Sequence, residues 1–98
     1  MKTLLLLTIS ALAHAADSSN GKTLFEEKCA ICHATDSSER RIGPSLKGVK
    51  DGQLPSHKNA THDTVLQQID NGGGGMPVFR ELLTKEQKEE IAAYTLTL

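Results

Sequence analysis

Cys29-Ala30-Ile31-Cys32-His33 is the stretch on which the reading of this 98-residue chain turns. The spacing C-x-x-C-H is that of covalent haem attachment. Read as a helical turn, it puts Cys29 and Cys32 on one face, with His33 beside the second cysteine. Two thiols so placed can each add to a haem vinyl group. His33 can offer an imidazole nitrogen to the iron, as proximal histidines do. Two other chemistries also use C-x-x-C. A thioredoxin-like redox pair needs strands alternating with helices, and no convincing strand run is present. A zinc site needs two further ligands; His57 and His62 exist, but no second cysteine pair does.

Working outward, residues 1–15 read as a secretory signal peptide. Lys2 is the positive start, Thr3 to Leu12 are apolar, and Ala13-His14-Ala15 is an A-x-A cleavage site. About 10 apolar residues at about 1.5 Å each span only half of a roughly 30 Å hydrocarbon core, so the run does not suit a membrane span. The expected mature domain is therefore 16–98, a single exported unit, periplasmic or in an equivalent compartment. Without Lys2 it holds 10 basic residues against 12 acidic ones. That mild balance argues against nucleic acid and against strong adsorption to anionic membranes. Two cysteines in an exported chain would ordinarily suggest a disulfide; in C-x-x-C-H they are instead expected to form thioethers. With no Trp, one Tyr and two Phe, so short a domain is poor in core material, and a haem would supply the missing apolar bulk.

Ser19 or Asn20 can cap a helix running through Phe25 to the motif, placing Phe25, Cys29 and Cys32 at i, i+4 and i+7. Gly21 lowers helix propensity unless something approaches closely there. From Ala34 to Ala60 no clean period exists, and so long a structureless loop is uncommon unless it is functional; wrapping around a flat cofactor is one such role. Within it lies Gly43-Pro44-Ser45-Leu46. The Pro44 carbonyl could accept a hydrogen bond from the second ring nitrogen of His33, although Gly-Pro is also an ordinary turn signal. Thr61 to Asn71 reads as a helix starting near Thr61 or Asp63, with Val65, Leu66 and Ile69 on one face and Gly72 as its stop. Gly72 to Gly75 read as a floppy run before Met76-Pro77, with Pro77 biasing Met76 toward an extended backbone. Thr84-Lys85-Glu86-Gln87 is a capping box opening a last helix, with Ile91, Tyr94 and Leu98 as its core stripe.

Gly21 and Phe25 before Cys29-Ala30-Ile31-Cys32-His33, then Gly43-Pro44-Ser45-Leu46, Met76-Pro77, and Ile91 with Tyr94 follow one another in an order that resembles class I cytochromes c, nearest the small bacterial and photosynthetic members. The resemblance spans about Gly21 to Leu98. It implies an all-α fold in which the N- and C-terminal helices cross and loops wrap around one covalently bound haem. Carried over by residue, it makes Cys29 and Cys32 the thioether anchors of one haem c. His33 becomes the proximal iron ligand, Pro44 its carbonyl partner and Met76 the distal ligand. Gly21 and Phe25 would meet Tyr94 at the helix crossing. The lack of Trp leaves the propionate partners open, with Arg41 and Lys58 as candidates.

The implied function is one-electron transfer between a redox donor and an acceptor protein that dock transiently on a monomer. An iron with two protein ligands has no free site for substrate, and no nucleophile–base constellation is apparent, so no enzyme activity is expected. Met76 is the only thioether after residue 15, though a Met beside apolar residues can equally be core filler; His57 and His62 are the competing ligands. A labile Met76 would instead suit a haem-based sensor or small-molecule binding module or, more distantly, a peroxidase-like enzyme. The docking face is expected at the haem edge, apolar around Ala30, Ile31, Gly72 to Gly75 and Pro77, with Lys28 and Arg80 at its margins.

Overall fold

The computed structural model describes residues 17–98, so the signal-peptide reading lies outside the described residues. Three α-helices follow in order: α1 (Ser18–Lys28), α2 (His62–Asn71) and α3 (Lys85–Thr95), with a single 3₁₀ turn at Val49–Asp51. Among the described residues there is no strand, only isolated bridges pairing Gln53 with Asn59 and Gly73 with Met76. None of the described helices is long and apolar enough to cross a membrane.

Each helix start has a side-chain cap. Asp17, rather than Ser19 or Asn20, caps α1, accepting from the Ser19 amide at 2.9 Å. The bonds from Ser19 hold the Asp17 carboxyl below its ordinary pKa. Thr61 caps α2 in a reciprocal box with Thr64, and Thr84 caps α3 in the expected box with Gln87. Gly72 ends α2, its amide still bonded to the Gln68 carbonyl.

Gly21 lies where α1 meets α3. A Cβ there would stand 1.9 Å from the Glu90 carbonyl oxygen and 3.0 Å from Tyr94 Cβ, so only glycine allows the approach. One turn on, Phe25 is buried and meets Tyr94 edge to face, with ring centroids 5.3 Å apart. Tyr94 is half-buried rather than fully enclosed. The core joins Phe25 to Val49, Leu54, Val65, Ile69, Leu83, Ile91 and Ala92. The α3 stripe thus includes Ala92 and buried Thr95 as well as Ile91, while Leu98 lies beyond the helix. There its carbonyl accepts the Gly48 amide at 2.9 Å, tying the chain end to the 3₁₀ turn.

Candidate functional site

Helix α1 ends one residue before the motif, so the cysteines do not share a helical face as the spacing suggests. The Phe25 carbonyl accepts both the Cys29 and Ala30 amides, at 2.8 and 2.9 Å, which closes the helix. The Cys32 and His33 amides then turn back onto the Cys29 carbonyl at 3.1 and 3.0 Å. The tight turn serves the same purpose as a helix would: Phe25, Cys29, Cys32 and His33 all line one cavity of about 450 Å³.

Loop 34–46 is sewn onto the motif, with the Gly43 amide bonded to the Cys32 carbonyl at 2.8 Å and the Leu46 amide to the Ala34 carbonyl at 2.9 Å. This brings the Pro44 carbonyl 2.7 Å from His33 Nδ1. A carbonyl can only accept, so Nδ1 carries the proton and Nε2 keeps its lone pair for a metal. Gly43 makes room for the ring, because a Cβ there would lie 2.7 Å from His33 Cε1. Neither half of the Gly-Pro pair is an incidental turn residue.

The opposite wall comes from the glycine run and Met76. These glycines do not behave as a floppy segment. Gly74 and Gly75 have φ of 60° and 95°, and Gly73 and Met76 exchange both amide–carbonyl bonds at 3.0 Å. The result is a two-residue reverse turn of the kind that requires positive φ at both central positions. Gly72 is needed too, since a Cβ there would stand 2.5 Å from the Met76 and Pro77 carbonyl oxygens. Gln68 on α2 donates from Nε2 to the Gly72 carbonyl at 3.0 Å and to Met76 Sδ at 3.6 Å. The sequence carries no local signal for Gln68, because the glycine turn after α2 breaks the helical period that would relate it to Met76.

Around the cavity the charged lining residues are Lys28 and Arg40, both positive. Arg41 and Lys58 do not line it; Arg41 instead donates from Nη1 to the Ala30 carbonyl at 2.7 Å. Arg80 is also elsewhere, bonded to Asn71 Oδ1 at 2.6 Å. His57 and His62 are not among the residues lining the cavity, whose lining groups include one imidazole and one thioether. Burial, then the neighbouring Cys32, pushes the Cys29 thiol up to about 11, while Lys28 pulls it down. An unattached Cys29 is accordingly neutral, in keeping with an apolar wall.

These walls fit a covalently held haem. Two thiols lie on one turn, an oriented imidazole carries a free Nε2, and a thioether projects from a glycine turn into the same apolar space. The volume is within the range of about 300–1,000 Å³ usual for ligand sites.

Comparison with known proteins agrees. A sequence model of the family "Cytochrome C oxidase, cbb3-type, subunit III" matches residues 16–94. A cytochrome c6 of Rippkaea orientalis is 38% identical, over 93% of this chain and 78% of the relative. Among solved structures, cytochrome c6 of the diatom Phaeodactylum tricornutum superposes with a TM-score of 0.67 at 28% identity, covering 83% of this chain and 92% of that one. The c-type cytochrome SorU of Sinorhizobium meliloti gives 0.60 at 29% identity, covering 82% and 87%.

Proposed function

The chain belongs to the class I cytochromes c, and from that membership we infer that it is a monohaem one-electron carrier exchanging electrons with protein partners. Haem c held through Cys29 and Cys32 supplies an iron couple that moves one electron without bond making or breaking. The protein's share is to fix the ligands and exclude water. His33 is held by the Pro44 carbonyl in one tautomer and one orientation, which also raises its basicity as a ligand. Met76 serves as the second ligand; Met/His ligation raises the reduction potential. With His33 and Met76 both given to the iron, the protein would leave no position for a substrate, which suits a carrier rather than a catalyst. The sensor reading with a labile Met76 is not favoured: both backbone polar groups of Met76 are bonded in the turn, and its sulfur accepts from Gln68.

One observation carries the ligand assignment: His33 and Met76 line the same cavity and supply its imidazole and thioether. Replacing Met76 by Ala tests it. The ferric spectrum should lose the weak red charge-transfer band of Met-ligated haem, and the potential should fall. An unchanged ferric spectrum would put another group in the sixth position.

The cavity opens beside Ile31 and Ile42, each 72% exposed, with Lys28 and Arg40 as its charged margin. That face is the docking surface, and it suits a partner with a small apolar patch and an acidic rim. The signal-like pattern of residues 1–15 supports export to the periplasm or an equivalent compartment, with 16–98 proposed as the working domain.

A further inference from the structure

A glycine run has no side chains with which to pack, so the seat of Met76 depends on what grips the chain on either side. Upstream, Gln68 holds the turn to α2. Downstream, the Phe79 amide bonds to the Ile69 carbonyl at 3.0 Å. Beyond it Lys88 reaches across from α3. Its Nζ lies 2.8 Å from Asp70 Oδ1 on α2 and 3.2 Å from the Arg80 carbonyl. One ammonium group thus joins α3, α2 and the segment that leaves Met76. The Lys88 and Asp70 side chains are only 14% and 31% exposed. The other pair among the described residues, His62 with Asp63, is 3.8 Å apart and largely exposed. A shielded pair responds far more to the loss of one partner than an exposed pair does, because the remaining charge is left uncompensated.

We propose that Lys88 is a positioning residue for Met76, latching segment 77–83 against α2 and α3 and so setting how readily an outside ligand displaces the Met76 sulfur from the iron. The inference rests on the reading of Met76 as the axial ligand. Local opening is governed by the few contacts that close a segment. An external ligand that binds only the open form has an apparent affinity proportional to the open fraction.

The test is imidazole titration of the ferric holoprotein, followed in the visible spectrum. Lys88→Met removes the ammonium but keeps the length of the side chain, and should tighten imidazole binding about tenfold, equivalent to about 1.4 kcal/mol of easier opening. Lys88→Arg can still bridge Asp70 and should stay within about threefold of wild type. Asp17→Ala, which removes the α1 cap and none of the bonds around the Met76 turn, should lower the melting temperature with affinity unchanged. Should Lys88→Met fail to fold, Asp70→Asn gives the smaller shift in the same direction. Unchanged imidazole affinity in the Lys88 or Asp70 variant, whatever its stability, would overturn the latch. Met76→Ala separates the two readings, because it should bind imidazole more tightly than any of these. If it binds no better than wild type, Met76 is not the ligand, and the assignment beneath the latch goes with it.

Discussion

A methyl group at position 43 would stand 2.7 Å from His33 Cε1 and 3.0 Å from Nδ1, so the lack of a side chain at Gly43 decides where the His33 ring sits. Gly43→Ala should therefore push the ring off the Pro44 carbonyl or force the loop back. Overpacking of this kind costs about 1–3 kcal/mol. A weaker Nδ1 bond also makes a poorer donor of His33. We expect a lower melting temperature together with a raised reduction potential, read by thermal melt and potentiometric titration; if neither moves, Gly43 is not the seat of the ring. His57 teaches a different lesson. It is the single non-glycine residue with positive φ among those described, at 68°, where its amide closes onto the Leu54 carbonyl at 2.9 Å. Left-handed backbone costs an L-residue about 1–2 kcal/mol, partly offset by the greater chain entropy glycine loses on folding. His57→Gly should thus stabilise the holoprotein by about 0.5–1 kcal/mol in denaturant titration. A loss of stability would mean the imidazole makes contacts that outweigh the backbone relief. The sequence marks His57 as a rival ligand because residue type advertises chemistry. It carries no sign of the turn that instead uses His57 as a backbone element.

At the scale of elements, legibility follows how local the cause is. The Thr84 box was readable because both partners lie within one helical turn. The attachment motif was readable because its chemistry is contiguous, although the helix beneath it stops at Lys28. Asp17 displaced Ser19 and Asn20 as the α1 cap because several adjacent polar residues can each serve, and only the entry path of the chain selects one. Arg40 against Arg41 is the same problem: neighbours on a loop point in different directions, and the sequence does not say which faces the cavity. The four glycines looked floppy because composition records freedom, whereas the fold spends it on four positive φ angles and a closed turn. Gly21 is the case where a cost in propensity correctly signalled a close approach. Gly21→Ala would bring its Cβ within 1.9 Å of the Glu90 carbonyl oxygen, so α1 and α3 must part. Backbone cannot rotate out of the way as a side-chain tip can, and the expected loss is at least about 2–3 kcal/mol, the upper part of the overpacking range. Denaturant unfolding checks it, and a change within about 0.5 kcal/mol, the surface range, would mean that the crossing yields easily.

Among the described residues, three short helices and about fifty residues outside them leave an apolar cavity, so attachment chemistry and stability are coupled. The same arrangement decides how the carrier meets its partners. The chain carries a net charge of −1, yet the charged residues at the cavity are both cations, and the large exposed apolar side chains beside them are Ile31 and Ile42. Two positive groups would give modest steering toward the acidic rim proposed for the partner, and the apolar pair would give a patch that releases quickly. Fully burying an Ile contributes about 1.5–3 kcal/mol. On the proposed docking surface, Ile31→Glu would lose part of that and set a negative charge against the partner's acidic rim. Electron exchange with the physiological partner should slow by about an order of magnitude, since about 1.4 kcal/mol is tenfold. The spectrum and potential should stay nearly unaltered, because Ile31 is 72% exposed and takes no part in the bonds that hold His33 and Met76. Stopped-flow measurement over a range of ionic strength completes the test. With so few charges the wild-type rate should fall only gently as the screening length shortens below about 10 Å. Exchange that ignores Ile31→Glu would move the docking site away from the cavity mouth. A steep fall with salt would show that charge, rather than the Ile31–Ile42 patch, governs encounter.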